Sequence, residues 1–102
     1  MADSGPAQPH RALSGVRILA LEGSVAGPHC TKILGDMGAE VIKLEKPVTG
    51  DLIRSWDSAA RGLSSGYVWL NGNKRSLAID VKKEAGLEAL RRLADRVDAV
   101  LE

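Results

Sequence analysis

The sequence has few of the features that would connect it to a membrane, a polyanion or an oxidising compartment. It contains a single cysteine, Cys30, so it cannot form an internal disulfide and suits a reducing environment. Its 14 basic and 13 acidic residues leave a net charge of +1, too little for a broad field that would attract nucleic acid or an anionic membrane. No apolar run approaches the ~20 residues that a membrane-spanning helix needs. We therefore expect a cytoplasmic chain with no nucleic-acid or membrane partner.

The first dozen residues also lack an apolar core. Residues 1–12 mix Pro, Ala, Ser and Gly, without the hydrophobic segment of a secretory signal or the arginine-rich, acid-free composition of a mitochondrial presequence. We predict that they form a disordered leader. The whole chain is 44% hydrophobic and 26% charged, which is ordinary for a globular protein. Its length allows one small domain, or a part of a larger one, over residues 13–102.

The first half of this region alternates between strand and helix patterns. Residues 16–21 form a short apolar run, which is typical of a strand buried on both faces, and residues 39–45 predict a second strand. Between them, Gly27 and Pro28 predict a turn and the first position of a helix that ends at Gly38. Two strands and a helix joined by such short links indicate a right-handed crossover with parallel strands.

The predicted first helix carries apolar side chains along one side. Cys30, Ile33, Leu34 and Met37 follow the helical repeat and predict the face that packs against the sheet. On this reading Cys30 is a packed small hydrophobe rather than a nucleophile. His29 lies near the turn, but a lone histidine without a partner is weak evidence for a catalytic base.

The second half continues the alternation after an irregular segment. Residues 46–66 are rich in Gly, Ser, Pro and charge and predict a long loop of the kind that is often functional. The apolar start of residues 67–75 fits a short helix or a strand, and residues 76–81 predict a strand. Residues 83–97 show the clearest amphipathic helix pattern. A last strand begins in residues 98–102, and because such a strand normally leads into further structure, we expect a truncated α/β fold.

The turn after the first strand lacks the usual dinucleotide motif. G-x-G-x-x-G would require more glycines here and an acidic residue about 20 positions later; Glu45 is near that position, but the glycines are missing. A helix N-terminus nevertheless attracts phosphate through its free N–H groups and its dipole, and Ser24, Ala26 and Gly27 are small enough to let a ligand approach. Ordinary turn chemistry explains Gly27 and Pro28 equally well.

A second polar cluster, N-G-N-K-R-S, occupies residues 71–76. Its asparagines flank a glycine, and Lys74 and Arg75 add adjacent positive charge that could clamp a phosphate. A solvated turn before a strand is the alternative, and it is the commoner one for these residues taken alone. Lys46 follows the second strand directly, and open α/β sheets bind ligands at the carboxyl ends of their strands. Two basic clusters and a helix N-terminus near one edge predict a ligand with several phosphates.

Together these segments resemble a known family. Residues 13–51, LSGVRILALEGSVAGPHCTKILGDMGAEVIKLEKPVTGD, and residues 71–102, NGNKRSLAIDVKKEAGLEALRRLADRVDAVLE, are similar to the N-terminal part of the family III CoA-transferases. This CaiB/BaiF group includes formyl-CoA transferase and α-methylacyl-CoA racemase. The most specific pieces are A-G-P-x-C-T, G-A-E-V-I-K-x-E-[KR]-P and N-x-N-K-R-S. The resemblance covers residues 13–102.

The resemblance implies a Rossmann-like parallel sheet with crossover helices, in which coenzyme A lies across the carboxyl edge and two chains interlock as a homodimer. It implies an enzyme that transfers CoA between an acyl-CoA and a carboxylic acid, this segment binding the CoA nucleotide. An α-methylacyl-CoA racemase-like isomerase and a non-enzymatic CoA-binding remnant are the alternatives. By position, the implied CoA-binding residues are Ser24, Val25 and Ala26 near the thioester, Lys46 at the nucleotide, and Asn71, Gly72, Asn73, Lys74 and Arg75 in a turn around the same nucleotide.

No catalytic residue and no metal site are predicted. In the transferases an aspartate forms a mixed anhydride and then a CoA thioester, and the resemblance places that aspartate beyond Glu102, as it does the racemases' acid and base. The chain alone is therefore predicted to be inactive. Formyl-CoA transferases carry glutamine where this chain has Val25, so formate or oxalate chemistry is not expected. The aspartates predicted as solvated or helix-flanking charges are Asp36, Asp51, Asp57, Asp80, Asp95 and Asp98.

Overall fold

The computed structural model describes residues 10–102, which form a parallel sheet with helices against it. In chain order the elements are β1 (Arg17–Ala20), α1 (Ala26–Asp36), β2 (Glu40–Glu45), a 3₁₀-helix (Leu52–Ser55), α2 (Ser65–Asn71), β3 (Lys74–Ala78), α3 (Glu84–Ala94) and β4 (Ala99–Leu101). The strand order is β3-β2-β1-β4, and every pair is parallel. This confirms the predicted Rossmann-like sheet with crossover helices.

The order of the strands reverses direction along the sheet at β1. From β1 the chain moves through α1 to β2 and then to β3 at one edge, whereas α3 leads to β4 on the other side of β1. In open α/β sheets, such a reversal leaves a crevice outside the carboxyl ends of the strands. The loop between β1 and α1 lies at this point.

The two faces of the sheet differ in how completely they are covered. On the face toward α1, Ile18, Ala20 and Val41 are buried and pack with Ala39 and Leu34. Every second residue of β2 is buried, and these buried residues lie on the same face. The cover of the opposite face is thinner, because α3 has no fully buried residue.

The first helix is displaced from its predicted position. It begins at Ala26, so Pro28 occupies its third position rather than its first, and the buried residues are Pro28 and Thr31. The predicted apolar face is wrong for Ile33 and Met37, which are 48% and 42% exposed, whereas Leu34 packs against the core as predicted. Cys30 is exposed as well, so the prediction that it packs inside is also wrong. The side of α1 that faces the sheet includes Thr31, because the Thr31 hydroxyl donates to the Glu22 carboxylate at 2.6 Å.

Other boundaries differ from the predicted ones by one to three residues. The apolar start of residues 67–75 forms the helix α2, for which the Ser64 side chain accepts the Tyr67 N–H at 3.4 Å. Strand β3 begins at Lys74 and ends at Ala78, so the predicted strand over residues 76–81 began two residues late and ran too long. The predicted helix over residues 83–97 is shorter, since α3 covers Glu84–Ala94.

Most of the predicted leader, residues 1–9, lies outside the described residues. Of its remainder, Arg11 takes part in a turn in which its carbonyl accepts the Ser14 N–H at 3.0 Å. Within residues 10–102, no helix has both the length and the apolar composition that a bilayer crossing requires.

Candidate functional site

A cleft of about 440 Å³ opens at the carboxyl ends of β1 and β2. Two residues predicted to bind ligand, Ser24 and Lys46, lie in its lining together. Lys46 is exposed directly after β2. The apolar part of the lining consists of Leu21, Leu44, Leu52, Ile79 and Val81. The cleft therefore combines an apolar surface with a cation and a turn at a helix N-terminus.

The loop between β1 and α1 has an unusual backbone conformation. Ser24 has a φ of 63°, in the left-handed region that non-glycine residues rarely occupy. Its N–H donates to Asp51 Oδ1 at 3.0 Å. Val25 precedes α1 and provides no side-chain cap, so the helix does not satisfy its first N–H groups by itself. Val25 and Ala26 are both exposed at this end of the helix.

A cluster of buried charged groups lies beneath this loop, centred on Lys43 of β2. The Lys43 ammonium donates to Asp51 Oδ2 at 2.7 Å, to Asn71 Oδ1 at 3.0 Å and to Glu22 Oε2 at 3.4 Å. The side chains of Lys43 and Glu22 are fully buried. A charge is tolerated in such a place only when oppositely charged and hydrogen-bonding groups surround it.

Lys74 completes this buried cluster. Its ammonium donates to Glu22 Oε2 at 2.7 Å, to the Pro28 carbonyl at 2.9 Å and to Asn71 Oδ1 at 2.9 Å. The Lys74 side chain is 1% exposed, and three acceptors match the three protons of an ammonium group. Burial lowers the pKa of Lys74, and the Glu22 carboxylate partly offsets that effect. With two cations and two carboxylates, the cluster is neutral and ties β3 to the start of α1.

The other residues of the predicted 71–75 turn lie in different parts of the structure. Asn71 is buried at the end of α2, where its side-chain oxygen serves both lysines, and Gly72 follows as the C-cap. The Asn71 Nδ2 group has no partner among the described residues. Asn73 Nδ2 donates to the Lys32 carbonyl at 3.0 Å and to Asp36 Oδ1 at 2.8 Å, at the far end of α1.

Arg75 lies away from the cleft. Its guanidinium is exposed, 3.5 Å from Glu40 Oε1 at the start of β2. In a parallel sheet the start of β2 and the start of β3 belong to the amino edge, opposite the edge where Lys46 lies. The prediction that both basic clusters meet at one edge of the sheet is therefore wrong for Arg75, whereas the Lys74 ammonium reaches the start of α1. Arg75's predicted contact with the CoA nucleotide is not tested by this position and stays a prediction.

A second polar centre forms around Glu45, the last residue of β2. Its carboxylate accepts Arg54 Nε at 2.8 Å and Nη2 at 2.7 Å, the Tyr67 hydroxyl at 3.0 Å, the Ser76 hydroxyl, and the Asp51 N–H at 2.9 Å. The Arg54 guanidinium lies 3.8 Å from the centre of the Tyr67 ring. The hydrogen bonds from Arg54 hold the pKa of Glu45 well below its ordinary value, against the opposing effect of burial. Burial and the nearby Glu45 charge raise the pKa of Tyr67 to about 12.

Asp51 joins the two polar centres to the loop. It is 8% exposed, so the prediction of a solvated aspartate is wrong for it, although it does flank the 3₁₀-helix as its N-cap. Burial acts to raise the pKa of Asp51, but hydrogen bonds from Lys43, Ser24 and Ile53 outweigh that effect and leave the pKa below its ordinary value. Asp36, Asp57, Asp95 and Asp98 are exposed.

Sequence reasoning missed most of these buried groups. Glu22 stood in a turn with no assigned role. Lys43 and Glu45 belonged to the motif G-A-E-V-I-K-x-E-[KR]-P, but neither was predicted to be a buried charge. One signal could have found Lys43 and Glu45. Side chains at every second position of a strand share a face, so both lie on the same face as Val41. Two charged residues on a buried face require partners. No comparable pattern pointed to Glu22. Nothing in the local sequence of the long loop predicted that Asp51 would be one of those partners.

The described residues contain no group of three or more His, Cys, Asp or Glu side chains arranged to hold a metal ion. His29 is exposed, and its ring lies 5.9 Å from that of Trp69. No nucleophile with an adjacent base stands out in the cleft.

The sequence and the fold both match known proteins. The sequence model of CoA-transferase family III matches residues 13–102, and the chain belongs to this family. It is 43% identical over 91 residues to human succinyl-CoA:glutarate CoA-transferase, covering 88% of this chain and 21% of that protein. It is 42% identical over 93 residues to formyl-CoA:oxalate CoA-transferase of Afipia carboxidovorans, covering 90% and 22% respectively.

Solved structures show the same relationship. A CaiB/BaiF family protein from Brucella suis superposes with a TM-score of 0.80 at 35% identity, covering 90% of this chain and 25% of that one. A hypothetical protein from Mycobacterium tuberculosis gives a TM-score of 0.82 at 37% identity, covering 93% and 26%. The chain thus spans only about a fifth to a quarter of the length of these relatives.

Proposed function

We propose that this chain is the coenzyme A-binding segment of a family III CoA-transferase, which moves CoA between an acyl-CoA and a carboxylic acid. One observation carries the proposal: Ser24 and Lys46 share a cleft at the carboxyl edge of the sheet, where open α/β folds bind nucleotides. Exposed Lys46 offers a cation to a phosphate of CoA. The apolar lining of the cleft offers a surface to the adenine ring.

The remaining predicted residues contribute in different ways. The turn of Ser24, Val25 and Ala26 is proposed to meet the thioester end of CoA, since Val25 and Ala26 are exposed and the first N–H groups of α1 can donate to a ligand oxygen. Asn71 and Lys74 support the start of α1 from the buried cluster. Gly72, Asn73 and Arg75 are exposed outside the cleft and are proposed to contact the part of the nucleotide that extends beyond it.

The substrates are proposed as an acyl-CoA and a carboxylic acid, in line with the names of the relatives. Val25, in place of the glutamine of formyl-CoA transferases, favours an acid other than formate or oxalate. We assign no residue of this chain a role in acyl transfer. A homodimer and a cytoplasmic location are parts of the same proposal, the second because the one cysteine suits a reducing compartment.

Two alternatives use the same site. An α-methylacyl-CoA racemase-like isomerase would bind CoA in the same way and exchange a proton at the α-carbon, and a non-enzymatic remnant would bind CoA without turnover. Exchange of the α-proton of an acyl-CoA for deuterium would favour the first. CoA transfer to a second acid would exclude both.

Calorimetric titration of the chain with CoA tests the binding site, with dephospho-CoA and NAD as competing ligands. We expect CoA to bind in preference to NAD, and Lys46→Ala to weaken CoA binding by roughly five- to ten-fold because a charged contact is lost. Lys32→Ala is the matched control, since Lys32 pairs with Asp36 on α1. A preference for NAD, or equal affinities of the two lysine variants, would contradict the assignment.

Lys74 and Arg75 are tested separately. Lys74→Ala should lower the free energy of unfolding by about 3 kcal/mol because it leaves a buried carboxylate partly unpaired.

Arg75→Ala should lower the free energy of unfolding by less than about 1 kcal/mol, since the Arg75–Glu40 pair is exposed. If Arg75 contacts the nucleotide, its loss weakens CoA binding by roughly ten-fold without loss of stability. Unchanged CoA affinity in Arg75→Ala would remove this residue from the site.

A further inference from the structure

Asp51 is held from several sides, although it lies in a loop. Its Oδ2 accepts the Lys43 ammonium at 2.7 Å, and its own N–H donates to Glu45 Oε1 at 2.9 Å. Both partners belong to β2, in the middle of the sheet. The Asp51 carboxylate therefore has a fixed position and a fixed charge partner.

The other carboxylate oxygen reaches the loop that begins α1. Asp51 Oδ1 accepts the N–H of Ser24 at 3.0 Å across a sequence separation of 27 residues. Ser24 is the residue with the left-handed backbone, at a φ of 63°. Such a conformation persists in a non-glycine residue when surrounding contacts hold it. The contact to Asp51 is a charge-assisted hydrogen bond to that residue's backbone.

The conformation of Ser24 determines where the following residues lie. Val25 and Ala26 come next, and the first turn of α1 points its N–H groups in the direction that this turn imposes. Lys43, Asp51 and Ser24 thus form a continuous connection from the sheet to the rim of the cleft. Neither of the two contacts that join these residues depends on an exposed side chain, because Lys43 and Asp51 are both buried.

We propose that Asp51 is a positioning residue, whose Lys43-paired carboxylate holds the Ser24–Ala26 loop in the orientation that receives the thioester end of CoA. This inference rests on the proposed function of the cleft. A purely structural role is the competing account, because Asp51 Oδ1 also accepts the Ile53 N–H at 3.1 Å and so caps the 3₁₀-helix. That account predicts a loss of stability but no particular effect on Ser24 or on CoA.

Two measurements on Asp51→Ala separate these accounts. In the absence of ligand, hydrogen exchange of the Ser24 amide should become at least about ten-fold faster, since its charged acceptor is gone. In calorimetric titration, CoA affinity should fall by about ten-fold. Thr31→Val is the control: it removes a buried hydrogen bond to Glu22 in the same cluster without touching Asp51 or Ser24, and should leave both quantities unchanged.

A second variant covers the case in which Asp51→Ala takes the nearest carboxylate from Lys43 and leaves the chain unfolded. Lys43→Met with Asp51→Leu replaces the buried pair by apolar groups, a change that is often neutral for stability, and also removes the acceptor of Ser24. Unchanged Ser24 exchange in a folded Asp51 variant would overturn the inference, as would CoA affinity equal to that of Thr31→Val. Absence of CoA binding by the folded parent chain would instead overturn the proposed function of the cleft, while the exchange data would still report on the Asp51–Ser24 contact.

Discussion

Lys43 shows how a single residue can connect distant parts of this chain. Its ammonium contacts groups from the β1–α1 loop, the long loop and the end of α2. Burying a lysine is costly unless its charge is compensated, and here two carboxylates and an amide oxygen compensate it. The interior at this point is therefore held together by polar contacts as well as by apolar packing.

The size of this effect can be measured by comparing two lysines. We expect Lys43→Met to lower the free energy of unfolding by about 3–5 kcal/mol, because Glu22 and Asp51 lose a buried partner. Lys32→Met is the control: its pair with Asp36 is an exposed i,i+4 pair worth about 0.2–0.5 kcal/mol. Urea denaturation of both variants provides the measurement. Equal losses in the two variants would mean that Lys43 is solvated in solution.

At the scale of elements, β2 contributes one charged residue to each of the two buried polar centres. Lys43 and Glu45 point to the face that α1 and α2 cover, and each meets an aspartate or arginine from the long loop. The loop is thereby attached to the sheet by charged hydrogen bonds at two successive inward positions of one strand. The 3₁₀-helix over Leu52–Ser55 begins directly after Asp51 and includes Arg54, whose guanidinium contacts Glu45.

Because the pKa of Glu45 is lowered in the folded state, this attachment should depend on pH. A carboxylate with a lowered folded-state pKa stabilises the fold above its unfolded pKa of about 4.3, and this contribution is lost as the pH falls below that value. Asp51, with its lowered pKa, acts in the same direction. Glu45→Gln should cost about 2 kcal/mol at pH 7, and its deficit relative to the parent should shrink as the pH is lowered through 4.

Thermal unfolding of both proteins between pH 7 and pH 3 measures this difference. Glu88→Gln provides the control, since Glu88 forms an exposed i,i+4 pair with Arg92 on α3 and should change stability by less than about 0.5 kcal/mol throughout. A deficit of Glu45→Gln that stayed constant down to pH 3 would contradict the assigned network.

The first turn of α3 packs closely against the chain that follows β3. A Cβ at Gly86 would lie 2.0 Å from the Asp80 carbonyl oxygen, which belongs to the turn after β3. Alanine is favoured over glycine within helices by about 1 kcal/mol, yet we expect Gly86→Ala to destabilise the chain by roughly 1–3 kcal/mol because the turn must move. Ala89→Gly, at an exposed site of α3, should cost only about 1 kcal/mol. A Gly86→Ala chain more stable than the parent would refute this packing.

On the scale of the whole molecule, the surface contains many exposed apolar side chains. Trp69 of α2 is 58% exposed, the preceding residue Val68 is 44% exposed, and Trp56 is 53% exposed. Large apolar side chains grouped on one surface commonly mark a site of association. Isolated ones, such as Val48 at the tip of a loop, are ordinary.

We expect the chain to bind an apolar dye and to self-associate at high concentration through the surface that includes Trp69. Trp69→Ser should lower both dye fluorescence and the association seen by sedimentation velocity. Val48→Ser serves as the control, because it removes an exposed but isolated side chain. Equal effects of the two variants would contradict an association surface on α2.

The order of elements and the parallel sheet could be predicted from the sequence, because apolar runs, amphipathic repeats and turn residues act over short distances. The shared position of Ser24 and Lys46 followed from the same rule, since each comes after a parallel strand. The tertiary structure alone decided which side of α1 faces inward, that Lys74 is buried and Arg75 is far from the cleft, and that Asp51 meets Lys43 and Ser24. These features depend on contacts between groups far apart in the chain, where the cost of burying a charge is balanced by partners that local sequence patterns do not reveal.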